Sequence, residues 1–122
     1  MATPRSFEDL EAWEAARELT NKAYQLSRRE PLSHDFGLCD QLRRAALSVM
    51  NNSAEGWESL HLAEKKQFYN WARRSCGEGR SMSYVLPDNK FITSEEQQTL
   101  LKFCMRSGKL VSGLIRSLDN RN

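Results

Sequence analysis

The sequence predicts an all-α fold, an antiparallel up-down four-helix bundle in a single domain spanning residues 1–122. Apolar residues recur at spacings of three and four over four long stretches, the pattern of one buried helical face, and no segment reads as a strand. Punctuation at Glu30-Pro31, Gly56 and Pro87-Asp88-Asn89-Lys90 separates the stretches by short connections, and short connections favour antiparallel neighbours. A chain of 122 residues, 39% hydrophobic and 28% charged with 3 prolines and 6 glycines, excludes collagen, low-complexity and charge-driven disorder.

The first helix is expected over residues 6–28. Ser6 is its candidate N-cap, and the acidic turn Glu8-Asp9 suits the positive end of the helix dipole. Ala12, Ala16, Leu19, Ala23 and Leu26 form the stripe, widened by Phe7, Leu10, Trp13 and Tyr24. Arg28 and Arg29 lie where cations favour a helix end, and Pro31 restricts the residue before it.

The second helix is expected over 36–55, capped by Asp35 and built on Leu38, Leu42, Ala45, Ala46, Val49 and Met50. Gly56 is read as its left-handed terminator. The third, over 62–86, places Phe68, Trp71, Ala72, Ser75, Cys76, Met82, Val85 and Leu86 on a broad face. Gly77 and Gly79 there imply a weak spot or a close helix crossing, since each costs about 1 kcal/mol of propensity relative to alanine. The fourth, over 94–118, opens with Thr93 or Ser94 as cap and Glu96 or Gln97 as capping-box partner. Leu100, Leu101, Cys104, Leu110, Val111, Leu114, Ile115 and Leu118 carry its apolar face, and Asp119-Asn120-Arg121-Asn122 reads as a fraying polar tail.

Catalytic constellations are absent from the pattern. His34 and His61 are isolated and make neither H-x-x-x-H nor E-x-x-H spacing, so no metal site is expected. Gly77-Glu78-Gly79-Arg80-Ser81 lacks the lysine of a phosphate loop and the strand-to-helix setting of a dinucleotide fingerprint. Cys39, Cys76 and Cys104 include no C-x-x-C pair and read as reduced structural thiols of a cytoplasmic protein. No membrane span, cofactor or enzymatic activity is expected.

Charge is distributed unevenly. Lys65, Lys66, Arg73, Arg74 and Arg80 face only Glu78 between residues 65 and 80, a local balance of +4, and Lys102, Arg106, Lys109, Arg116 and Arg121 against Asp119 give the same balance over 102–122. The first helix is acidic, with Glu14 and Arg17 as surface neighbours. Such a dipolar layout suits either phosphate binding on one side or mating of complementary surfaces in an oligomer. Phe68, Tyr69 and Trp71 interleave with the basic run and read either as core or as stacking platforms. Glu55 and Glu78 fall on or beside apolar faces, with Arg43 and Arg44 as candidate partners.

Several runs resemble those of the bacterial four-helix-bundle proteins encoded by intervening sequences within large-subunit ribosomal RNA genes. They are Ser6-Phe7-Glu8-Asp9-Leu10-Glu11-Ala12-Trp13, Phe36-Gly37-Leu38, Gln41-Leu42-Arg43-Arg44-Ala45-Ala46-Leu47-Ser48-Val49 and Asn52-Ser53-Ala54-Glu55-Gly56. Departures from the family pattern are Arg74 in place of a small glycine, Gly79-Arg80 in place of an apolar and acidic pair, and Met50-Asn51 before Asn52. That family is similar in fold to the accessory variability determinant of diversity-generating retroelements. The resemblance implies a cytoplasmic homopentameric ring that binds RNA or DNA, with a reverse transcriptase or RNA as partner.

The expected nucleic-acid-binding residues are Arg43, Arg44, Lys65, Lys66, Arg73 and Arg74, acting as phosphate contacts that position a backbone without reading sequence. For Arg43 and Arg44 a salt bridge to Glu55 or Glu78 is the competing role. The alternative function is a protein-interaction or scaffolding module, in which the acidic first helix meets a basic helix of the next subunit and no nucleic acid is involved.

Overall fold

The computed structural model describes residues 3–120. A 3-10 turn over Phe7–Asp9 leads into α1 (Glu11–Ser27), a second turn over Leu32–His34 precedes α2 (Phe36–Glu58), and α3 (Leu62–Asp88) and α4 (Ser94–Asp119) complete the chain. Each helix packs on the next and α4 returns to α1. Contacts between opposite ends, such as Arg29 at the end of α1 with Glu96 at the start of α4 and Lys66 at the start of α3 with Asp119 at the end of α4, establish the antiparallel up-down order.

The core divides into two zones. Leu19, Leu26, Leu32, Leu42, Val49, Leu86, Leu100 and Cys104 fill the end where α1 and α3 finish. Ala12, Tyr69, Ala72, Val111 and Leu118 fill the opposite end. Small residues dominate the α1 seam, with Ala12, Ala15, Ala16 and Ala23 all buried, which lets backbones approach closely at little side-chain entropy cost.

Two helix starts are those the sequence announces. The Asp35 Oδ1 accepts from the Leu38 N–H at 3.0 Å. Thr93 forms a reciprocal capping box: its Oγ1 accepts from the Glu96 N–H at 3.1 Å, while the Glu96 Oε1 accepts from the Thr93 N–H at 2.9 Å. The turn at Pro87–Lys90 is also present. Lys90 takes a left-handed φ of 61°, its N–H reaches the Pro87 carbonyl, and the Phe91 N–H reaches the Leu86 carbonyl, each at 2.9 Å, closing α3 in a Schellman-type arrangement.

Other boundaries differ from expectation. Ser6 makes no side-chain cap and α1 begins at Glu11, because the buried Leu10 holds an extended conformation that separates the 3-10 turn from the helix. Gly56 does not terminate α2. It is buried within the helix, which continues to Glu58, and no glycine adopts positive φ. The α3 helix runs through Pro87 to Asp88, with the proline in its last turn. Trp71 and Val85 are exposed, at 40% and 42%, because the face turned to the neighbouring helices is instead Tyr69, Ala72, Cys76, Gly79, Ser83 and Leu86. The crossing expected at the glycines exists at Gly79, where a Cβ would stand 3.4 Å from the Cys104 Sγ, while Gly77 faces open space. Asp119 is helical rather than frayed, and residues 121 and 122 of the expected tail lie outside the described residues.

Candidate functional site

Helical periodicity brings one set of cations together on the outer surface of α3 and α4. Arg73, Gly77 and Arg80 follow four- and three-residue steps, as do Met105, Gly108 or Lys109, Ser112 and Arg116 on α4. These residues with Arg74 line a groove of about 640 Å³ whose floor includes Cys76 and Cys104. The glycines leave it deep: a Cβ at Gly77 meets nothing within 4 Å, and one at Gly108 would only touch the Cys76 Cβ at 3.7 Å.

Five cations (Arg73, Arg74, Arg80, Lys109 and Arg116) border this groove, and no carboxylate does. None of the five forms an ion pair among the described residues. Like charges held along walls of low dielectric focus a positive potential into the space between them, so the groove is suited to an extended polyanion. The thiols beneath are held in the protonated form by burial. Burial pushes Cys76 up to about 12 and Cys104 up to about 11, well above the range at which a thiolate forms near neutrality.

The six residues expected to contact phosphate do not form one site. Arg73 and Arg74 line the groove. Arg43 is half-buried; its Nε donates to the Ser27 Oγ at 2.7 Å, and its guanidinium lies 4.5 Å from the centre of the Tyr24 ring. Arg44 is exposed and pairs with Asp40 at 3.4 Å. Neither meets Glu55 or Glu78, both of which are exposed, so the expected pairing is replaced by contacts within α2 and to α1. Lys65 donates to the carbonyls of Gly56 and Trp57 at 3.2 and 2.8 Å, satisfying the end of α2, where orphan carbonyls carry the negative pole of the dipole. Lys66 pairs with Asp119 at 2.5 Å.

Arg80, Lys109 and Arg116 were not among those six. Their signal was present in the two +4 segments and in the small residues interleaved with them, but only the rotation of α3 against α4 shows which cations share a face. Among the described residues no three His, Cys, Asp or Glu side chains lie close enough to hold a metal ion, and no helix is long and apolar enough to cross a membrane.

Comparison with known proteins is consistent with this architecture. A family model described as 23S rRNA-intervening sequence protein matches residues 8–113. A crystal structure from Bacteroides thetaiotaomicron, described as a protein with unknown function from the S23 ribosomal protein family, superposes with a TM-score of 0.79. It is 17% identical and the match covers 86% of this chain and 95% of that one. No curated protein sequence matches significantly.

Proposed function

The chain belongs to the 23S rRNA-intervening sequence protein family, and from that membership we propose that it is a non-enzymatic nucleic-acid-binding accessory protein whose α3–α4 groove tracks a phosphate backbone. The observation that carries this reading is the groove bordered by five cations and no acid. Arginines on a helical surface neutralise phosphates without reading base edges, and the released counterions make such binding strongly salt-dependent. In this reading the protein works in the cytoplasm as a homo-oligomer, a pentameric ring, so that one weak groove per subunit is multiplied along a strand. A reverse transcriptase or structured RNA is the partner that such a ring would serve. Leu60 and Leu62, 90% and 43% exposed at the α2–α3 connection, offer apolar surface for assembly.

The alternative, a scaffold joined by its acidic first helix and basic last helix, is supported less. Part of that complementarity is used inside the chain, where Glu18 of α1 meets Arg106 of α4 at 3.4 Å.

The test is fluorescence anisotropy of nuclease-treated protein with structured RNA, duplex DNA and an RNA–DNA hybrid across a salt series. Micromolar or tighter affinity that falls steeply with salt, and is lost in Arg80→Glu/Lys109→Glu, is the expected result. Absence of binding to all three at low salt would remove the nucleic-acid reading and leave the scaffold.

A further inference from the structure

Arg74 stands on the crest of α3 between two depressions, the basic groove toward α4 and a polar notch of about 500 Å³ toward α2. We propose that this notch is a nucleobase subsite selective for guanine. The proposal rests on the groove being a phosphate track, because Arg74 then holds the phosphate that joins the track to the base.

The notch is built by two helical nets. Trp71, Arg74, Ser75 and Glu78 follow three- and four-residue steps on α3, while Ser48 and Asn52 lie one turn apart on α2. Trp71 is 40% exposed, and Phe68 braces it edge-on, with ring centroids 5.4 Å apart and planes at 83°. An indole held in this way is a ready stacking surface for a base. Trp71 and Glu78 stand two turns apart, about 10 Å along the helix axis, a span that a purine fills with one face on the ring and its far edge toward the carboxylate.

The hydrogen-bonding groups left over decide which base. The Asn52 Nδ2 donates to the Ser48 carbonyl and to the Ser48 Oγ, both at 2.9 Å, and the Ser75 Oγ donates to the Ser48 Oγ at 2.8 Å. The amide's donors are therefore engaged within the wall while its carbonyl stays available. Glu78 is exposed and has neither a hydrogen bond nor an ion pair among the described residues. The notch thus offers a ligand the Glu78 carboxylate and the Asn52 carbonyl as acceptors, with the Ser48 O–H, whose oxygen already accepts twice, as a lone donor on the α2 wall. Guanine alone presents two adjacent N–H donors on its Watson–Crick edge, matching the two oxygens of a carboxylate; adenine and cytosine place an acceptor beside their amino group, and uracil flanks its one N–H with carbonyls. Such an edge is open to a side chain only when the strand is unpaired, so the ligand is single-stranded.

Four fluorescent single strands of about twelve nucleotides test this: all-uridine, and uridine strands carrying a few guanosines, cytidines or adenosines. The guanosine strand should bind about tenfold more tightly than the others. Glu78→Gln should bring it within about twofold of all-uridine, and Trp71→Leu should weaken the guanosine strand while Trp71→Phe retains it. Thermal melting by circular dichroism confirms that each variant is folded. Equal affinity for all four strands overturns the subsite and leaves the phosphate track standing, as does Glu78→Gln tightening every strand alike. Failure of every strand to bind at low salt instead removes the track itself.

Discussion

Gly56 and Tyr69 compete for one volume: a Cβ on the glycine would lie 2.6 Å from the Cδ1 of the tyrosine ring. Tyr69 is 3% exposed and part of the core beside Ala72 and Val111, so the ring has nowhere to retreat. Gly56→Ala is therefore expected to destabilise the protein by about 1–3 kcal/mol despite the better helix propensity of alanine. Gly77→Ala, which meets nothing, should stabilise by about 0.5–1 kcal/mol. Urea unfolding of the two variants checks the opposite signs.

Lys65 and Arg80 separate structural from binding cations. Lys65→Met removes the donor that serves the Gly56 and Trp57 carbonyls and should cost about 0.5–1.5 kcal/mol of stability, with RNA affinity unchanged. Arg80→Gln should leave the melting temperature nearly unchanged while reducing the slope of log affinity against log salt by about 1. A fall in affinity for Lys65→Met equal to that for Arg80→Gln would contradict this division.

The Arg29 guanidinium and the Thr93 N–H hold the Glu96 carboxyl down at about 2, against an ordinary value of 4.5. A carboxyl depressed in the folded state stabilises the protein above its unfolded value, and that contribution is lost as pH falls through the folded one. The bundle should therefore lose stability between about pH 4.5 and pH 2. Glu96→Gln keeps the capping geometry but not the charge. Its deficit, about 1 kcal/mol at pH 7, should shrink as pH falls toward 2 and vanish below it, which denaturant titrations at pH 7 and across that acid range would show.

All three thiols should resist alkylation in the folded protein. Cys39, Cys76 and Cys104 are buried and free, and loss of solvation raises each above its ordinary value. At pH 8 iodoacetamide should label the native protein at less than about one-tenth of the rate seen in urea, since the thiolate is the reacting form. Rapid native labelling of Cys76 or Cys104, read by mass spectrometry, would mean that the groove floor opens.

What the sequence made legible was local. Asp35 with Leu38 and Thr93 with Glu96 are cap motifs complete within four residues, and the apolar period placed four helices in the right order. The role of Gly56 was not legible, because its cause is a tyrosine on the next helix. The partners of Lys65 and Arg43 were hidden for the same reason: their positive charge is visible in the chain, but the carbonyls, hydroxyl and ring they meet belong to tertiary structure. The groove falls between these cases. Each helical net is written in the sequence, and the pairing of Arg80 with Lys109 depends on how α3 and α4 are rotated in the bundle.

The gathering of five cations along one seam also bears on the protein when nothing is bound. Like charges along the seam repel one another, and the packing of α3 on α4 opposes that repulsion. At 0.1 M salt the screening length is about 10 Å, and at 0.01 M about 30 Å, so dilution of the buffer strengthens the repulsion across the whole seam. The bundle is thus internally loaded, most strained in dilute buffer and relaxed by any multivalent anion that settles in the groove. A polyanion that binds there acts at the same time as a clasp on the third and fourth helices.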